Sequence, residues 1–196
     1  QAALAILQAG GNAMDAALAA VAVQCVVEPA MTGIGGDCFV LYAPKGSVPV
    51  AYNGSGRTPA ATDLARLTHA GLTQIAPTSA DAVTIPGAVD AWCHLNAAHG
   101  SLPLERILQP AIETAENGFR ITPRVAFDWQ RFRTKLEGNA AAAAQFLPGG
   151  HVPETGERRA QPALGRTLRR IAREGGEHGD HDRGGEIGRH DEGGVG

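Results

Sequence analysis

The shortages in this sequence do more to narrow its function than any single motif. Lysine and arginine number 17 against 20 acidic residues, a formal charge of −3, and they form no dense block. Without such a block there is no electrostatic footprint for a phosphate backbone, so nucleic acid is not an expected partner. Only three cysteines occur, Cys25, Cys38 and Cys93, far apart and with no CxxC spacing. An odd, scattered set beside apolar residues predicts buried thiols and not a disulfide framework or metal cluster. GxSxG is missing, and so is the Lys-Ser/Thr of a phosphate-binding loop. The sequence opens at Gln1 without a basic leader, which predicts a lost N-terminus and leaves the compartment open.

Glycine is abundant, 26 of 196 residues, but unevenly placed. Nine of the 23 residues from Glu174 to Gly196 are glycine, and only Ile187 and Val195 are aliphatic there. Such a stretch cannot bury enough surface to offset its ordering entropy. Residues 1–173 therefore read as one packed domain and 174–196 as a low-complexity tail. The tail's abrupt Gly/Arg/His/Asp/Glu text also fits a shifted reading frame of GC-rich DNA, a native disordered tail being the alternative.

Within the domain, Ala2, Ala5, Ile6 and Ala9 repeat at helical spacing and stop at Gly10-Gly11, a C-terminal signal. Asn12, with Asp15 three residues on, predicts the N-cap of a second helix over about Ala13 to Val27. That helix is uncharged after Asp15, yet it spans only about 22 Å against the roughly 30 Å of a bilayer core. It reads as a core helix, and no membrane partner is expected. Cys38–Tyr42 and Val48–Tyr52, separated by Pro44, Lys45 and Gly46, predict a hairpin. Further helical stripes run through Ala88, Ala91, Trp92 and Leu95, then Ile107, Ala111, Ile112 and Ala115. A third follows Thr122-Pro123 through Val125, Trp129, Phe132 and Leu136, and a fourth spans Pro162 to Arg173 through Leu164, Leu168 and Ile171. Two strands alone are marginal in water, so the order predicts an α+β protein whose sheet is incomplete in this chain.

The sharpest local motif is Gly33-Ile34-Gly35-Gly36-Asp37. It fails as a dinucleotide fingerprint, since Cys38 stands where a third glycine is needed and a strand follows it. What remains is a helix-to-strand turn whose glycines permit positive φ or close backbone approach. His178, His181 and His190 with Asp180 and Asp182 are possible metal ligands in type, but glycine surroundings offer no rigid support, and no metal site is expected. His69, His94 and His99 have no neighbouring Ser, Cys or Asp arrangement for nucleophilic catalysis.

Several ordered stretches resemble the γ-glutamyltransferase (γ-glutamyltranspeptidase) family: Gly10-Gly11-Asn12-Ala13-Met14-Asp15-Ala16-Ala17, Glu28-Pro29 and Gly33-Ile34-Gly35-Gly36. Ile85-Pro86-Gly87-Ala88-Val89, His99-Gly100, Pro110-Ala111-Ile112 and Ala115-Glu116-Asn117-Gly118-Phe119 follow in the same order, so the likeness runs from Gln1 to about Gly176. The resemblance implies part of an N-terminal-nucleophile hydrolase αββα sandwich, the N-terminal portion of the large subunit. It also implies a precursor that cleaves itself, the small subunit's new N-terminal threonine being the nucleophile and its free amine the base. That threonine lies downstream, so Thr32, Thr58 and Thr78 have no claim to the role, no catalytic residue is expected here, and the chain alone should be inactive. The implied partners are the C-terminal small subunit and a small γ-glutamyl or other acyl-amide substrate, with no cofactor.

Members of that family commonly carry an arginine after the second strand to pair with the α-carboxylate of the γ-glutamyl group. Here that segment reads Tyr52-Asn53-Gly54-Ser55-Gly56-Arg57-Thr58-Pro59, and gapless alignment places Ser55 there with Arg57 two residues on. On an extended strand the two would share a face about 6 to 7 Å apart. Ser55 and Arg57 are thus the candidate substrate-binding residues, with an ordinary surface charge as the other reading of Arg57. This version of the segment, with Asp37-Cys38 after the glycines, also resembles a branch containing cephalosporin- and glutaryl-type acylases. A non-catalytic scaffold or binding module is the alternative from outside enzymology.

Overall fold

In the computed structural model the described residues are 1–175; the glycine-rich tail and its histidines lie outside them. The elements in chain order are α1 (Ala2–Gln8), α2 (Ala13–Val27), β1 (Cys38–Tyr42), β2 (Val50–Gly54), α3 (Leu64–His69), α4 (Ala88–His99), α5 (Leu104–Asn117) and β3 (Phe119–Arg120). They continue with α6 (Pro123–Arg131), α7 (Arg133–Glu137), α8 (Ala140–Phe146), β4 (Arg158–Arg159) and α9 (Pro162–Glu174). The chain divides into two compact units. One comprises Gln1–Gly33 and the described residues from Asn96 onward; the other is Ile34–Leu95.

The first unit is helical, and its local signals were legible. At the end of α1, Gly11 N–H donates to the Ile6 carbonyl at 3.0 Å and Gly10 N–H to Leu7 at 3.1 Å. Gly10 takes φ +91°, the left-handed residue such a helix end requires. Asn12 and Asp15 form a reciprocal capping box, Asp15 N–H donating to Asn12 Oδ1 at 3.1 Å and Asn12 N–H to Asp15 Oδ2 at 2.9 Å. Helix α2 packs against both α1 and α5, and α5 against α9. Fully buried Ala19 and Ala22 bring the neighbouring helices close, while Ile107, Leu108, Ala111, Ile112, Ala115 and Leu168 complete the core. Gln161 is the polar member of this packing: its side-chain amide donates to the Val26 carbonyl, 2.7 Å away at the end of α2.

Two parts of this unit depart from the sequence expectation. The stripe through Val125, Trp129, Phe132 and Leu136 is broken at Phe132, where α6 gives way to α7; Val125 and Trp129 are buried, but Phe132 and Leu136 are only half-buried. The two-residue ladder β3–β4 pairs Phe119 with Arg159 and Arg120 with Arg158. It is too short to leave a periodicity in the sequence.

The second unit contains the hairpin. Its strands pair antiparallel, Cys38 opposite Gly54 and Tyr42 opposite Val50. The second strand therefore starts two residues later than expected, after Pro49, which has no N–H to give the ladder. Cys38, Val40 and Tyr42 are half-buried, whereas Phe39 and Leu41 are 70% and 78% exposed. Apolar side chains on both faces are the pattern of a strand meant to be covered on both sides. Of the three thiols, Cys25 is buried as expected, but Cys38 and Cys93 are only half-buried, and none of the three is in a disulfide. The described residues contain no helix long and apolar enough to cross a membrane.

Candidate substrate-binding segment

The family-like motifs separate into two kinds once the contacts are seen. Asn12, Asp15 and His99-Gly100 are structural. Asp15 is fully buried, and both its oxygens accept the Ser101 N–H, at 3.1 and 3.0 Å. Asn12 Nδ2 donates to the His99 carbonyl at 2.7 Å and to Ser101 Oγ at 2.8 Å. A Cβ on Gly100 would lie 2.2 Å from Asn96 Nδ2 and 2.8 Å from Asp15 Oδ1, so only glycine fits. These residues bind two helix ends together.

The other kind meets at the end of β2, within the second unit. Strand β2 ends at Gly54, and Ser55 and Arg57 lie beyond it. Just past the strand, Ser55 N–H donates to Asn53 Oδ1 at 3.0 Å. Gly56 N–H donates to Asp37 Oδ1 at 2.9 Å. The Arg57 carbonyl accepts Ile85 N–H at 2.9 Å, and the Gly36 carbonyl accepts Gly87 and Ala88 N–H at 3.1 and 2.9 Å, capping the start of α4. Three chain segments, 36–37, 54–57 and 85–88, thus interlock through their backbones.

Glycine makes that approach possible. A Cβ at Gly56 would lie 1.6 Å from the Ile85 carbonyl oxygen, and one at Gly87 would lie 2.2 Å from that of Gly54. Gly33 and Gly35, which drew attention in the sequence, have no such role: neither has positive φ, and a Cβ on either would meet nothing within 4 Å. The close approach lies at Gly54, Gly56 and Gly87.

Ser55 and Arg57 are both exposed, and no ion pair among the described residues uses the Arg57 guanidinium. The segment therefore presents a cationic fork on a fixed backbone, suited to a bidentate carboxylate. Nucleophilic groups are poor by comparison. Burial pushes the Cys38 thiol up; the buried Trp92 indole N–H, which meets no acceptor in good hydrogen-bond geometry, offsets that only in part. Burial and then Asp90 push Cys93 up. Tyr52, stacked on His94 with ring centroids 5.2 Å apart, is raised by burial, Asp90 and Cys38. The hydroxyls of Thr32, Thr68, Thr114 and Thr167 donate to helix carbonyls and have no base beside them. No cluster of metal-ligating side chains occurs among the described residues.

In fold the chain is part of an N-terminal-nucleophile hydrolase sandwich, and among the solved structures it resembles is the cephalosporin acylase of Bacillus halodurans. The two superpose with a TM-score of 0.85 at 38% identity, over 90% of this chain and 34% of that one. Residues 1–182 match the family model for gamma-glutamyltranspeptidase, and the chain belongs to that family. It is 37% identical over 172 residues to the glutathione hydrolase-like YwrD proenzyme of Bacillus subtilis, covering 87% of this chain and 32% of the relative. It is 37% identical over 182 residues to the oxamate amidohydrolase proenzyme of Klebsiella pneumoniae, covering 89% and 34%. The chain thus spans about a third of the length of these curated relatives.

Proposed function

We propose that this chain is the N-terminal part of the large subunit of an enzyme that cleaves γ-glutamyl amides and passes the acyl group to water or an amino acid. The nucleophile in this reading is the N-terminal threonine of a small subunit cut from the same precursor, so the 196 residues alone are inactive. Names of the relatives as proenzymes fit a self-processing precursor.

The observation that carries the substrate class is Arg57. Its guanidinium is exposed and unpaired with any described carboxylate, while its backbone is held by Ile85. In this role it grips the substrate α-carboxylate bidentately, with the Ser55 hydroxyl beside it. A mature full-length enzyme should then turn over a γ-glutamyl anilide better than the glutaryl anilide, which lacks the α-amino and α-carboxyl groups. Arg57→Ala should raise KM for the γ-glutamyl compound alone. Preference for the glutaryl anilide would instead favour an amide acylase, a reading supported by Ser55 at the family's usual arginine position and by a cephalosporin acylase among the similar structures.

A further inference from the structure

Asp37 stands at the end of the glycine-rich turn, and its side chain reaches a residue 19 positions away: Oδ1 accepts the Gly56 N–H at 2.9 Å. Gly56 lies between Ser55 and Arg57. Its φ and ψ decide the angle at which both side chains leave the backbone, and glycine alone would set them loosely. The neighbouring anchors fix only the flanks, with Asn53 holding Ser55 N–H and Ile85 holding the Arg57 carbonyl. Asp37 supplies the bond at the centre. The turn that carries it is tied to α4 independently, through the Gly36 carbonyl on Gly87 and Ala88 N–H. Removing the Asp37 side chain therefore leaves the turn attached and frees only the peptide between the two candidate binding residues.

We infer that Asp37 is a positioning residue that sets substrate affinity by fixing the Ser55-Gly56-Arg57 backbone so that the Arg57 fork faces a carboxylate-bearing acyl group. The inference rests on Arg57 binding that carboxylate. A carboxylate holding a backbone N–H is a charge-assisted bond, stronger than a neutral one. Its loss leaves the guanidinium present but disordered, so the substrate must supply the ordering when it binds.

The test uses the mature full-length enzyme and a γ-glutamyl anilide. Asp37→Ala should raise KM about tenfold with kcat within about twofold, the loss of one charge-assisted hydrogen bond, and the melting midpoint should not move. Asp37→Asn, which keeps an acceptor oxygen in place but loses the charge, should bring KM back to within about threefold of the parent value. Asp37→Glu, which keeps the charge but displaces the acceptor, should raise it and stands in if the alanine variant fails to mature. In the Arg57→Ala background, Asp37→Ala should add almost nothing. If Arg57→Ala raises KM while Asp37→Ala does not, or if Asp37→Ala raises KM equally in both backgrounds, Asp37 does not act through Arg57 and the inference is overturned with the Arg57 reading intact. A parent-like KM in Asp37→Glu with a raised one in Asp37→Asn overturns it too. If Arg57→Ala leaves KM unchanged, the Arg57 reading itself has failed.

Discussion

Both carboxylate oxygens of Asp15 accept the N–H of Ser101, at 3.1 and 3.0 Å, across 86 residues of chain. One buried charge thereby joins the start of α2 to the turn after α4, and it caps its own helix at the same time. The Asn12–Asp15 cap thus also ties together distant parts of the first unit.

Asp15→Ala should cost roughly 2–4 kcal/mol, because it strands the Ser101 and Asn12 N–H groups and leaves a void where a satisfied charge stood. Chemical denaturation of the full-length protein gives the value. Asp15→Asn should cost less, since the amide oxygen still accepts. A denaturation midpoint unmoved by Asp15→Ala would remove Asp15 from this role.

Two glycine substitutions should separate sharply. Gly56→Ala drives a Cβ to 1.6 Å from the Ile85 carbonyl oxygen, and it should destabilise the unit by about 3 kcal/mol or more and abolish substrate binding. Gly33→Ala meets open space at ordinary φ, and should be neutral or gain about 0.4–1 kcal/mol by restricting the unfolded chain. Thermal melts of the two variants side by side provide the check.

Phe39 and Leu41 leave an apolar face on a hairpin whose strands pair only with each other among the described residues. The isolated 196-residue chain should aggregate, and Phe39→Ser with Leu41→Ser should reduce light scattering. In the full-length precursor the same pair should impair maturation. A sharp, reversible two-state melt of the isolated chain would favour the self-sufficient binding module instead.

Cys38, Cys93 and Tyr52 all have folded-state pKa values raised by burial. The fold therefore favours their neutral forms. Their contribution to stability is complete below the ordinary thiol value of 9.0 and is lost as pH rises through the higher folded values. The denaturation midpoint should fall as pH rises above about 9, and Cys38→Ala with Cys93→Ala should flatten that fall. Alkylation by iodoacetamide at pH 8 should be slower than for free cysteine.

Much of the fold was readable because its signals are local. The Gly10-Gly11 helix end, the Asn12–Asp15 box and the Thr122 cap each depend on residues within a turn of one another. Helices α3 and α8 escaped notice, although Asp63 and Asn139 cap them, because six or seven residues with almost nothing buried leave no apolar stripe. At the candidate site the order of difficulty was reversed. Ser55 and Arg57 could be named from the sequence, but the bonds that hold their backbone could not, since Asp37 and Ile85 reach it from distant parts of the chain.

The sequence by itself determined where helices start and stop, which stripes are apolar, and that two strands are too few for a finished sheet. Periodicity, capping residues and chain length act over a few residues and leave their mark in order. Tertiary structure alone decided that Asp15 serves Ser101, that Gly56 and Gly87 and not Gly33 or Gly35 are the indispensable glycines, and that Asp37 holds the peptide between Ser55 and Arg57. Those facts depend on steric fit and hydrogen bonds between distant segments, and no local pattern records which backbone will pass within 3 Å of which.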